Sequence, residues 1–139
     1  MKRLLCSVLS LIMVLGVFLT APVTVNAAKT EDLTFLKSND GKSYYVSDCK
    51  ESATGDIVIP ETYMSKPVIG IGEFAFAWCS ELTSVTLTEN ITYIGESAFY
   101  NCKKLEEINL PYTVKTIGDG AFFACESLTD ITIGDRVEK

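Results

Sequence analysis

Cys79, Cys102 and Cys125 lie 23 residues apart in turn, a spacing that invites metal or disulfide chemistry. Structural zinc takes four ligands, usually in close pairs such as C-x-x-C and often completed by histidine. The chain has no C-x-x-C and no histidine at all. Stacked strands lie about 4.8 Å apart, and disulfides accept Cα separations of about 4.4–6.8 Å, so distance alone permits a bond. Side chains stacked in register point the same way, however, which is poor for the disulfide dihedral, and three thiols cannot all pair. A buried ladder of small apolar thiols is the expectation. Cys49 stands outside the series, and a Cys49–Cys79 bond is the remaining alternative.

Other groups lack their partners. Ser47, Ser65, Ser84 and Ser97 have no histidine to activate them as nucleophiles. Glu106, Glu107 and Asp130 are the carboxylates best placed for a glycosidase pair, but that chemistry needs one carboxyl in a pocket that raises its pKa. Gly70-Ile71-Gly72-Glu73 has the glycine spacing of half a phosphate loop, without the G-K-[ST] that completes one. No catalytic residue, metal or cofactor is expected.

The elements that hold these residues repeat. Ile71-Gly72, Ile94-Gly95 and Ile117-Gly118 are 23 residues apart, and so are Ala75-Phe76, Ala98-Phe99 and Ala121-Phe122. Leu82, Leu105 and Leu128 keep the interval, as do Val85, Ile108 and Ile131, then Leu87, Leu110 and Ile133. The unit is I-G-x-x-A-F-x-x-C-x-x-L-x-x-[IV]-x-[LI]. Val85 and Leu87 alternate with Ser84 and Thr86, which is the period of a short strand with one buried face. Ala98, Phe99 and Cys102 fall on one face of a helical turn. The glycine suits a bend where the backbone closely approaches its neighbour. One such unit cannot bury its apolar face alone, so the copies must stack into one core.

The pattern resembles the BspA-like class of leucine-rich repeats, over residues 67–139. The resemblance implies a secreted or surface protein, an adhesin or binder of host proteins. Residues 57–71 read as part of a preceding irregular unit: Pro60 to Ile71 spans 11 residues against 6 from Pro111 to Ile117, a five-residue insertion. The expected fold is α/β, a right-handed solenoid with a parallel strand face and short helical turns on the other side. Residues 28–66 form an N-terminal cap with the irregular first unit. Within it, Phe35-Leu36 and Tyr44-Tyr45-Val46 read as two strands around a turn at Ser38–Gly41. Asp135–Lys139 matches Glu89–Tyr93 and Tyr112–Thr116, the run into the next isoleucine, so the last coil is expected to be uncovered.

Residues 1–27 read as a secretory signal peptide: Met1-Lys2-Arg3, an uncharged apolar run Leu4–Leu19, then Val25-Asn26-Ala27 before the cleavage site. The run of 16 residues is short of the roughly 20 that span a membrane. Cleavage removes Lys2 and Arg3 and no acid. The 139-residue chain at −6 then becomes a 112-residue chain with 10 Lys+Arg against 18 Asp+Glu, a net −8. That charge disfavours nucleic acid and anionic membranes, and no membrane insertion is expected after cleavage.

Two surfaces could bind. Outward strand positions align as Ser84, Glu107, Asp130 and as Thr86, Asn109, Thr132; they read either as a ligand face for an extracellular protein or glycan, or as plain solvated surface. Trp78, Tyr100 and Phe123 follow the inward phenylalanines, and either make a second contact surface or shield the grooves between coils. Asn90-Ile91-Thr92 is a formal glycosylation sequon. Binding is the first functional reading. The alternative is an assembly module, or a piece of a longer array, whose open last coil joins another chain or associates end to end.

Overall fold

The computed structural model describes residues 30–138, so the leader read at 1–27 lies outside the described residues. A 3-10 turn at Thr30–Asp32 precedes β1 Leu33–Lys37 and β2 Tyr44–Cys49. There follow β3 Thr54–Val58, β4 Thr62–Tyr63, β5 Lys66–Ile71, β6 Glu81–Thr86, β7 Tyr93–Ile94, β8 Glu107–Asn109 and β9 Thr116–Ile117. Two parallel ladders result, β3–β6–β8 and β5–β7–β9. Each coil gives one strand to each ladder, so the chain winds as a β-solenoid of about three turns. In the first ladder Ile57, Val85 and Ile108 stand in register and point inward, between 0% and 6% exposed.

A third side is made of turns, and here the sequence expectation needs correction. No α-helix occurs among the described residues, so the solenoid is built there of strands and turns, and not as α/β with helical turns. The amides of Ala75, Ala77 and Cys79 bond to the carbonyls three residues back, closing successive turns at Gly72, Phe74 and Phe76. The intervening amides of Phe74, Phe76 and Trp78 bond across to Glu96, Ala98 and Tyr100 of the next coil. A continuing α-helix would bond its amides to carbonyls four residues back; here the closures are to the third residue back, and the alternate amides tie the coils together. Phe74 and Trp78 take positive φ of 54° and 67°, and Ser97, Asn101 and Ala124 take 51–60°, which also prevents a continuous helix. The buried Ala-Phe-x-x-Cys face is as expected, but turns carry it.

β1 and β2 pair antiparallel around the turn at Ser38–Gly41, where Gly41 has φ 70° and Asp40 Oδ1 accepts from Ser38 Oγ at 2.6 Å. β2 then pairs parallel with β5, Tyr44 opposite Val68 and Val46 opposite Ile71. Leu33, Val46 and Cys49 thereby join the core and close its first end. The five-residue insertion is a β4–β5 hairpin. Its two central residues, Met64 and Ser65, both have positive φ, 47° and 62°, as a type I′ turn requires. At the far end, Glu138 N–H bonds to Lys115 O at 2.6 Å and Glu138 bridges Thr116, continuing the second ladder.

Candidate functional site

The strand face is built on β3, β6 and β8. Asp56, Ser84 and Glu107 form one outward column, and Val58, Thr86 and Asn109 the next. Asp56 is absent from the sequence reading. It sits 28 residues before Ser84, the repeat interval lengthened by the five-residue hairpin. Counting through the insertion is the signal that finds it. The hydroxyls of Ser84 and Thr83 both donate to Asp56 Oδ1, at 2.8 and 2.9 Å, and hold its carboxyl below the ordinary value.

Two of the aligned candidates leave the sheet. Residues 131–134 form no strand, so Asp130 and Thr132 continue their columns only as irregular chain beside β8. Both residues nonetheless border the same depression, about 790 Å³, shared with Asp56, Thr83, Ser84, Glu106, Glu107 and Asn109. Asn109 is not a free recognition group. Its Oδ1 accepts the Leu87 N–H at 2.6 Å and its Nδ2 donates to the Leu87 carbonyl at 3.0 Å. Thr86 is exposed beside it.

What remains open to a partner on this face is mostly acceptor. Glu106, Glu107 and Asp130 are exposed and unpaired with any cation among the described residues, while Lys104 is held by Glu81 at 2.6 Å and Lys103 faces Glu126 at 3.6 Å. An open groove of this kind favours a ligand that brings donors or positive charge.

The aromatic candidates form a ladder of their own. Trp78 meets Tyr100 edge-on at 5.3 Å, and Tyr100 stacks on Phe123 at 5.6 Å and 7°. Trp78 and Phe123 are still 53% and 63% exposed, so the rings both bridge neighbouring coils and present apolar area to solvent. Behind them Phe76, Phe99 and Phe122 stack at 5.0 and 5.4 Å inside the core.

Among the described residues Cys49, Cys79, Cys102 and Cys125 are free thiols, and the last three reach backbone carbonyls of the preceding coil. Cys102 Sγ donates to Phe76 O at 3.0 Å, and Cys125 Sγ to Phe99 O at 3.1 Å. Cys79 Sγ lies 3.6 Å from Lys50 O and 3.8 Å from Cys49 O, so Cys49 is its neighbour in the preceding coil. Burial pushes the Cys102 and Cys125 thiols up from their ordinary pKa. Contact with Cys79, followed by burial, does the same to Cys49.

The model of a family described as the BspA type leucine rich repeat region matches residues 48–139, in six copies. The chain belongs to the BspA type leucine-rich repeat family. The match begins before residue 67, where the regular repeat becomes visible, and takes in the irregular unit. Among solved structures the chain is similar to a leucine-rich repeat protein of T. pallidum, at 25% identity and TM-score 0.74, covering 81% of this chain and 52% of that one. It is similar to a leucine-rich repeat protein from Bacteroides capillosus at 30% identity and TM-score 0.72, covering 82% and 86% of the two chains. It also resembles a leucine rich cell surface protein from Faecalibacterium prausnitzii, at 32% identity and TM-score 0.63, covering 76% of this chain and 30% of that one. The chain thus spans about half of the treponemal protein and under a third of the faecalibacterial one. A comparison with curated proteins returned no match.

Proposed function

We propose that this BspA type repeat protein is an exported or surface-displayed binding module, and that its strand face engages an extracellular protein or glycan. The carrying observation is the groove across β3, β6 and β8, in which Glu107 on the hydrogen-bonded ladder and Glu106 and Asp130 beside it are exposed, without cationic partners among the described residues. Ser84, Thr86 and Thr132 add hydroxyls, Asp56 another carboxylate, and Asn109 holds the face in shape. A rigid scaffold with many modest contacts suits binding, because little conformational entropy is lost on association. The ladder of Trp78, Tyr100 and Phe123 is a second contact surface. Export rests on the leader pattern at 1–27 and on the cell surface description of a structural relative; mass spectrometry of the secreted product should find Ala28 at its N-terminus.

Surface plasmon resonance against a panel of purified extracellular glycoproteins tests the face. Binding should weaken as salt rises, and the triple variant Glu106→Gln, Glu107→Gln, Asp130→Asn should lose it. Equal binding by the variant would remove the strand face from the proposal.

A second reading, assembly through the last coil, has its own observation. Phe122, Leu128 and Ile131 are half-buried and Ile133 is 54% exposed, whereas their counterparts Phe99 and Leu105 are fully buried and Ile108 is 6% exposed. Such an apolar layer favours stacking of a further coil, whether of this chain or of another. Sedimentation velocity should then show mass rising with concentration. A monomer at all concentrations would discard this reading.

A further inference from the structure

A second depression, about 660 Å³, lies on the other ladder, against the outer side of β2, β5 and β7. Tyr45 and Tyr93 form its aromatic wall, with ring centroids 6.3 Å apart and planes inclined by 56°. Leu36 and Ile69 extend the apolar surface. The rings are seated by glycines. A Cβ at Gly70 would collide with the Tyr93 ring, and one at Gly72 would meet the Tyr45 ring at 3.2 Å and Val46 O at 2.9 Å. The bare backbone of Gly72 and Gly95 lines the depression, so the space beside the tyrosines stays open.

The polar groups around this wall fall into two kinds. Ser38 and Ser47 spend their hydroxyls internally, on Asp40 and on Thr34 O. Asn39, Glu73 and the two phenol hydroxyls have no hydrogen-bond or ion-pair partner among the described residues. Burial and the nearby Tyr45 push the Tyr93 phenol up to about 12, so at neutral pH it is a donor. An amide, a carboxylate and two phenols thus stand around a pair of rings in a space within the ~300–1,000 Å³ of ligand clefts.

We propose that the Tyr45–Tyr93 depression binds a neutral carbohydrate, one to three pyranose residues of a longer chain, independently of the strand face. A pyranose has an apolar C–H face that lies on an aromatic ring and a rim of hydroxyls that both donate and accept. The hydroxyls meet Asn39, Glu73 and the phenols. Other classes fit less well. A purely apolar ligand leaves four polar groups covered and unpaired, which is costly. An anionic ligand faces Glu73 and a protein of net charge −6. A peptide adding as a strand needs a free sheet edge, and β2 and β5 are each paired on both sides.

Isothermal titration of the full chain with hexaoses of β-1,4-glucose, β-1,3-glucose, mannose and N-acetylglucosamine, with hexagalacturonate as the anionic control, tests the assignment. At least one neutral hexaose should bind. Tyr45→Ala and Tyr93→Ala should each weaken it by about tenfold or more, the value of one good contact. Tyr93→Phe should lose less, because the ring remains. Asn39→Ala and Glu73→Gln alter exposed side chains, so thermal melts should be unchanged while affinity drops several-fold; they carry the test if a tyrosine variant unfolds. Glu89→Gln, an exposed residue that borders neither depression, should bind sugar as the parent does. The proposal is overturned if no neutral hexaose binds at millimolar concentration, if hexagalacturonate binds better, or if affinity survives both Asn39→Ala and Glu73→Gln.

Discussion

The side-chain amide of Asn109 makes both hydrogen bonds that a neighbouring strand would make to Leu87, accepting its N–H at 2.6 Å and donating to its carbonyl at 3.0 Å. β6 ends at Thr86 and β8 at Asn109, so without this side chain the Leu87 backbone would stand unpaired beside a buried leucine. Asn109→Ala should therefore cost about 1–2 kcal/mol, the range for orphaning a partly buried backbone pair. Asn109→Asp keeps the acceptor but sets a negative charge against the Leu87 carbonyl. It should be less stable than the parent at pH 7 and recover towards pH 3, where a protonated acid again donates. Urea melts of the three proteins at both pH values decide it; no loss in Asn109→Ala would mean that water replaces the amide.

Phe99 is fully buried, stacked 5.0 Å from Phe76 and 5.4 Å from Phe122. Phe99→Ala leaves a cavity with a ring on either side that cannot collapse into it, and should cost about 3–5 kcal/mol. Thr86→Ala, on the exposed face, should stay within about 0.5 kcal/mol. Denaturant midpoints within error of each other would refute the inside and outside assignment of the coil.

Much of this was legible from spacing alone. Residues 23 apart must stack, so the Phe, Cys, Leu and Ile columns and the approach of Gly95 to its neighbour could be read directly. The turn side was not legible, because Ala98, Phe99 and Cys102 have the same spacing on a helix and on a chain of turns. The choice is made by alternate amides bonding to another coil, and by positive φ at Phe74, Trp78 and Asn101, none of which residue type announces. Asp56 was hidden by the five-residue hairpin. Asn109 falls in an outward column, which by itself reads as ligand face or solvated surface; that its amide turns back to Leu87 depends on where β6 stops. The Tyr45–Tyr93 depression joins the β1–β2 pair to the repeat, so no period points to it.

The glycine ladder makes a third prediction. A Cβ on Gly95 would lie 2.6 Å from Glu73 N, and one on Gly118 would collide with Glu96 N. The obstacle in each case is backbone already fixed between coils, so it cannot swing aside like a side chain. Gly95→Ala should cost about 1–3 kcal/mol or more, although alanine usually stabilises by restricting the unfolded chain. Gly134→Ala is the control, with nothing within 4 Å of the new methyl group. Equal melting temperatures for the two variants would show that the coils separate easily.

The thiol ladder predicts how stability responds to alkali. Cys102 is fully buried, donates to Phe76 O, and has its pKa raised by burial and then by Cys125 and Cys79. A raised pKa means that the native state holds the proton more tightly than the unfolded chain, whose thiol titrates near 9.0. Its contribution is therefore intact below pH 9 and lost as pH climbs above it, because only the unfolded state gains from ionising. The limiting slope is about 1.4 kcal/mol per pH unit for each such thiol. Cys102→Ala should lower stability at pH 7, where the thiol's hydrogen bond and volume are lost, yet show a shallower decline between pH 9 and 10.5. Cys125→Ala, at a half-buried site, should change the slope less. Urea melts at half-unit intervals of pH measure all three slopes. A decline as steep in Cys102→Ala as in the parent would show that this thiol ionises in the folded coil, and that the ladder is open to water.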